Sequence, residues 1–251
     1  MNIKTSNLDG VLTIEIARPE KKNALTQPMY QAMADAIGAA AQDDSVRALL
    51  ITGQPGIFTA GNDLEDFLQR PPHDGDAPVG HFMQGLLACE KPVIAAVTGA
   101  AVGIGVTMLL HCDLVYISDQ ARLLLPFVSL GLVPEFASSL LLPQLMGRAK
   151  AAEKLLLGEP ISAAEAVEFG IATAALDSNI VLAHARRMAK RFNTLPPGAV
   201  RDTKRLLRAG AAAAIERALQ DESTVFAERL RSLEAREAMQ AFFQKRKPSF
   251  S

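Results

Sequence analysis

The chain has 251 residues, 49% of them hydrophobic and 21% charged, enough to bury a large core without disulfide or metal staples. Lys and Arg number 26 against 27 Asp and Glu, a formal net charge of -1 that disfavours a nucleic-acid binder. The two cysteines, Cys89 and Cys112, form no CxxC pair, which excludes a disulfide framework and a structural zinc site. No apolar run reaches the roughly 18 residues that a membrane span requires. No apolar signal core precedes the first strand, and Pro248-Ser249-Phe250-Ser251 is not a peroxisomal address, so a cytoplasmic protein is expected.

In chain order, Val11–Ala17 reads as a short β-branched strand after the turn Asp9-Gly10. A polar loop, Arg18 to Asn23, leads to Thr26, the N-cap of a helix expected to reach Gln42, with Pro28 in its first turn. Val46–Thr52, Pro92–Val97 and Cys112–Ile117 read as buried strands. Strand and helix alternating at these spacings imply a parallel sheet with crossovers, an α/β fold. Gln69–Gly80, dense in Pro, Gly and Asp, is expected to be a mobile loop beside a pocket. From Ser138 onward the chain reads as mostly helical. Ser162-Ala163-Ala164-Glu165 is a capping box, Pro196-Pro197 is a break, and helices are expected over 198–209, 213–231 and 234–245.

Two glycine turns follow strands: Phe58-Thr59-Ala60-Gly61-Asn62-Asp63-Leu64, and Thr98-Gly99-Ala100-Ala101-Val102-Gly103-Ile104-Gly105. Such turns either let a ligand approach backbone N–H groups or are merely tight. The second is a poor dinucleotide fingerprint, since Met108 stands where its third glycine belongs. Neither a P-loop nor a metal-binding histidine spacing occurs, and His111 reads as a packed side chain. Glu135 is the only charge between Arg122 and Arg148. A carboxylate there is either a helix N-terminal charge near Ser138 or a buried base with a raised pKa.

Arg18-Pro19…Asn23-Ala24-Leu25, the turn Phe58 to Leu64, Lys91-Pro92-Val93-Ile94-Ala95-Ala96-Val97-Thr98-Gly99 and Cys112-Asp113-Leu114-Val115 follow one another in the order and spacing of a known family. Together they resemble the crotonase (enoyl-CoA hydratase/isomerase) superfamily over at least residues 10–195. The resemblance implies a spiral of ββα units with two roughly perpendicular sheets. It implies an acyl-CoA-binding core over 1–195 and a helical oligomerisation region over 196–251, assembling as a homotrimer or a dimer of trimers. Phe226, Leu230, Leu233, Phe242 and Phe243 are candidates for an apolar face there.

The implied substrate is an acyl-CoA thioester, with no further cofactor and no nucleic-acid or membrane partner. Two backbone N–H groups, carried over as those of Ala60 and Ile104, would hold the thioester oxygen as it gains charge. Lys22 would meet the CoA phosphates, with Ala24, Gly61, Asn62, Asp63 and Leu64 also against the substrate. Phe58, Leu64, Phe67, Met83, Met108, Phe127 and Leu132 would surround the acyl chain. The family's hydratases use two glutamates, and Thr107 and Phe127 occupy those positions here. What remains is Glu135 after Pro134, as in the peroxisomal-type 3,2-enoyl-CoA isomerase branch, where one base moves a proton from the α to the γ carbon. Phe136 replaces the glycine common after that glutamate. The alternatives are an enoyl-CoA hydratase or another reaction of this fold, and a non-catalytic CoA-binding scaffold.

Overall fold

The computed structural model describes residues 2–69 and 77–250. The first two strands, β1 (Ile3–Leu8) and β2 (Val11–Ile16), pair antiparallel with Leu8 opposite Val11. The two linking residues, Asp9 and Gly10, both have positive φ, 51° and 70°, as a tight hairpin turn of this length demands. β1 escapes the sequence reading because only Ile3 of its six residues is buried, so it carries no apolar signal.

Three times the chain makes a long buried strand, then a short one in a second sheet. α1 (Gln27–Gln42) precedes β3 (Ala48–Thr52) and its short follower β4 (Gly56–Thr59). α2 (Leu64–Gln69) and α3 (Pro78–Ala88) precede β5 (Val93–Val97) and β6 (Gly99–Val102). The one-turn helix α4 (Ile104–Thr107) precedes β7 (Leu114–Ser118) and β8 (Arg122–Leu124). β3 and β5 are buried at every position, the pattern of parallel strands covered on both faces.

After α5 (Ser138–Leu156) come β9 (Ile161–Ser162), α6 (Ala163–Glu168), β10 (Ala174–Leu176) and α7 (Val181–Lys190). The long strands, joined by the three-residue β10, form a six-stranded sheet in the order β1-β2-β3-β5-β7-β10, parallel from β2 onward. The short ones form a four-stranded sheet, β4-β6-β8-β9. Because β4 and β6 are neighbours, the turns that follow them lie side by side. The capping box at the start of α6 is formed in both directions between Ser162 and Glu165.

Residues 70–76 of the expected Pro/Gly-rich loop lie outside the described residues. Its flanks are helical instead: Gln69 ends α2, and Pro78 opens α3, where a missing N–H costs nothing.

The chain ends in α8 (Pro197–Ala209), α9 (Ala212–Leu230) and α10 (Leu233–Phe243), within a residue or two of expectation. These helices dock on the earlier residues. Lys204 Nζ donates to Lys91 O and to the Asp113 carboxylate, each at 2.6 Å. Ala235 and Met239 belong to the main core cluster, and Phe226 and Leu230 pack partly buried against it. Leu233, Phe242 and Phe243 face outward, 80%, 61% and 47% exposed. Among the described residues no helix is long and apolar enough to cross a membrane.

Candidate active site

The first glycine turn is knitted to the Arg18–Asn23 loop. Asn23 Nδ2 donates to Phe58 O at 3.1 Å, and Thr59 Oγ1 donates to Asn23 O at 2.7 Å. Arg18 pairs with Asp63 at 2.6 Å and donates to Ala24 O. Burial alone would raise the Asp63 carboxyl. The Arg18 guanidinium and the N–H groups of Asp66 and Glu65 outweigh it and hold the pKa below its ordinary value. Asp63 is thus committed to the loop and to the first turn of α2, which Leu64 opens.

Gly61 has φ +85°, and a Cβ there would lie 2.8 Å from Val102 O. Only glycine lets the two turns approach this closely. A parallel bridge to Leu25 uses Gly61 O and Asp63 N–H, which turns the Asn62 N–H to the opposite side. Among the described residues no acceptor is assigned to the N–H of Asn62 or of Ile104, the first residue of α4. Ala60, the donor that the resemblance implied, is not available, because its N–H is spent on Lys22 O at 3.0 Å. The turn register places the available N–H two residues later.

Glu135 lies on a turn of unusual backbone. Phe136 and Ala137 both have positive φ, 57° and 59°, which costs a non-glycine residue roughly 1–2 kcal/mol each. Phe136 therefore takes the left-handed conformation that glycine would adopt freely. His111 holds it there, stacking on the Phe136 ring at 4.0 Å and contacting Phe136 O through Nε2 at 2.8 Å. Burial pushes the His111 pKa down to about 4, so the ring is neutral and Nε2 carries the donated proton. His111 is a packed side chain, as the sequence suggested.

The Glu135 carboxyl accepts from Thr107 Oγ1 at 2.5 Å. Part of Glu135 is open to a cavity, yet enough protein surrounds its carboxyl that burial pushes the pKa up to about 8. The Thr107 hydrogen bond opposes that shift, and the negative charge of Glu222 adds to it. Glu222, on α9, is the anion at the α5 N-terminus. Its two oxygens accept from Ala137 N–H at 2.6 Å and Ser139 N–H at 2.8 Å. The helix-terminal role open to Glu135 on sequence grounds is therefore filled by another residue.

The cavity encloses about 310 Å³. Asn62, Ile104 and Glu135 lie on its wall with Phe67, Met83 and Phe226. Of the side chains expected around an acyl chain, Phe67 and Met83 are there. Phe58, Met108, Phe127 and Leu132 are instead packed in the core cluster, and Leu64 is not on the wall either. A helix far along the chain supplies wall in their place. Leu219, Glu222, Ser223 and Phe226 of α9 supply one side of the cavity. Phe226 meets Phe67 edge-on at 6.1 Å. Lys22 is exposed, in a left-handed conformation at the rim of the loop, and Ala24 is half-buried behind it.

Sequence reasoning missed Glu222 and Tyr30. The Tyr30 hydroxyl donates to Asn62 Oδ1 at 2.5 Å, and burial, then Glu135, then Asp66 push its pKa well above the ordinary value. Nothing local marks either residue: each reads as one position of an amphipathic helix.

The chain matches the family model described as Enoyl-CoA hydratase/isomerase over residues 6–251. It is similar to the structure of OdaA from Pseudomonas aeruginosa, with a TM-score of 0.94 and 52% identity, covering 96% of this chain and 98% of that one. It is 35% identical to Enoyl-CoA delta isomerase 2 of Rattus norvegicus over 245 residues, 95% of this chain and 62% of that protein. The chain thus spans under two thirds of that relative's length. It is also 31% identical to 2,3-dehydroadipyl-CoA hydratase of Escherichia coli (strain K12), covering 98% of this chain and 96% of that protein. Two sheets, paired glycine turns and a match over nearly the whole length converge: the chain belongs to the enoyl-CoA hydratase/isomerase family.

Proposed function

We propose that the protein is an acyl-CoA isomerase that moves the double bond of a 3-enoyl-CoA to the 2 position. The observation that carries this reading is Glu135. It is a carboxyl on the cavity wall, raised by burial to about 8, held by Thr107 and released from helix capping by Glu222. Abstraction of the α proton leaves a dienolate, whose oxygen accepts from the Asn62 and Ile104 N–H groups. The same carboxyl, now protonated, returns the proton to the γ carbon. One base serves both steps, so no water is activated and no cofactor is required. Lys22, beside the loop, meets the CoA phosphates.

Hydration would need two acid–base groups, and Thr107 and Phe127 offer neither. Glu222 also lies on the cavity wall, but both its oxygens are engaged by backbone N–H groups. The test is to incubate the enzyme separately with 3-enoyl-CoA and 2-enoyl-CoA and identify the products. Isomerisation is expected with little hydration. Glu135→Gln should lower turnover by roughly 10²–10⁴ without loss of fold. Formation of 3-hydroxyacyl-CoA at a rate comparable to isomerisation overturns the assignment. Retained turnover in Glu135→Gln would move the base elsewhere.

A further inference from the structure

We propose that Glu222 is a positioning residue for Glu135, clamping from α9 the strained turn that presents the base to the cavity. This inference rests on the reading of Glu135 as the base. Three observations carry it. Glu222 is 7% exposed, and its two oxygens take the N–H groups of Ala137 and Ser139 on either side of Ser138. Ala137 is one of two successive left-handed residues following Glu135, so the clamp acts where the backbone is least able to hold itself. Both carboxyls lie on the wall of one cavity.

The alternative source of order is His111, which grips Phe136 from behind the turn. His111 holds the carbonyl oxygen, and Glu222 the N–H, of the one peptide group that joins Phe136 to Ala137. Released from Glu222, Ala137 can relax toward the right-handed region, and that rotation carries the Glu135 side chain off Thr107. A misplacement of about 1 Å at a reacting group costs roughly 10²-fold in rate. Glu222 also acts through its charge, because an anion beside Glu135 disfavours ionisation of the base. The other groups around Glu135 are Thr107 from α4, His111 behind the turn, and Tyr30 from α1 with Asp66 beside it. Arg229, also on α9, is engaged with Gly131 O and Glu234.

Two substitutions separate geometry from charge. Glu222→Gln keeps the volume but removes the charge and one of the two acceptors. Glu222→Asp keeps the charge but is one methylene too short to reach both N–H groups. The pH dependence of kcat on 3-enoyl-CoA is measured for both, alongside a carbon-13 carboxyl titration of Glu135 by NMR, assigned with Glu135→Gln. Both variants should lose roughly 10²-fold in kcat with KM little changed. In Glu222→Gln the acid limb and the Glu135 titration should both move to lower pH, and in Glu222→Asp neither should move. A folded Glu222→Gln with wild-type kcat and unmoved titrations overturns the proposal, even if its melting temperature falls. If Glu222→Gln does not fold, wild-type kcat in Glu222→Asp overturns it. Failure of the isomerase reading looks different: Glu135→Gln would keep its turnover, while the NMR titration would still report whether Glu222 acts on Glu135.

Discussion

A carboxyl whose pKa rises to about 8 in the folded protein is a liability to stability wherever it ionises. In the unfolded chain Glu135 ionises near the ordinary carboxylate value, so between there and pH 8 the native state holds the extra proton. The stability associated with the protonated group is complete at acid pH and is lost as pH rises toward 8. Glu135→Gln removes that loss. Its melting temperature should therefore exceed the wild type's at pH 8–9, with the gap closing toward pH 5, as thermal scans across that range will show. A helix-capping carboxylate would give the opposite sign. Glu135 was legible in the sequence because it is a single charge in a long apolar stretch. The acceptor-free N–H of Asn62 was not, because its availability depends on a one-residue bridge to Leu25 that no local pattern reports.

At the scale of elements, the buried strands β3, β5 and β7 were readable as apolar runs, and α9 and α10 as amphipathic helices. The short strands β4, β6 and β8 were not, since three or four residues containing Gly and Arg carry little period. Nor was the docking of α10. It rests on Gly131, whose φ is +69° and where a Cβ would lie 2.7 Å from the Ala235 backbone. Gly131→Ala meets both obstacles, a left-handed backbone and immovable main-chain atoms. It should cost about 1–3 kcal/mol in urea unfolding. Leaving stability unchanged would show that α10 can shift without cost.

At the scale of the whole molecule, Leu233, Phe242 and Phe243 present large apolar side chains to solvent near the chain's end, with Leu206 and Leu207 also exposed on α8. Burial of each would contribute roughly 1.5–3 kcal/mol, so a second copy of the chain is the expected cover. Light scattering at micromolar concentration should give a multiple of the chain mass, and a monomeric mass would refute this. The core and the terminal helices differ in another respect: when each is made. The turn at 135–137 leaves the ribosome well before its clamp, which is 85 residues farther along. At the usual pace of synthesis that interval is roughly 4–17 s. Throughout it the first turn of α5 lacks its anion and the cavity lacks one wall. The bond between Glu222 and Ala137 is thus a late closing step, and a chain released before residue 222 carries Asn62, Ile104, Thr107 and Glu135 without the contact that clamps the turn and without Phe226 on the cavity wall.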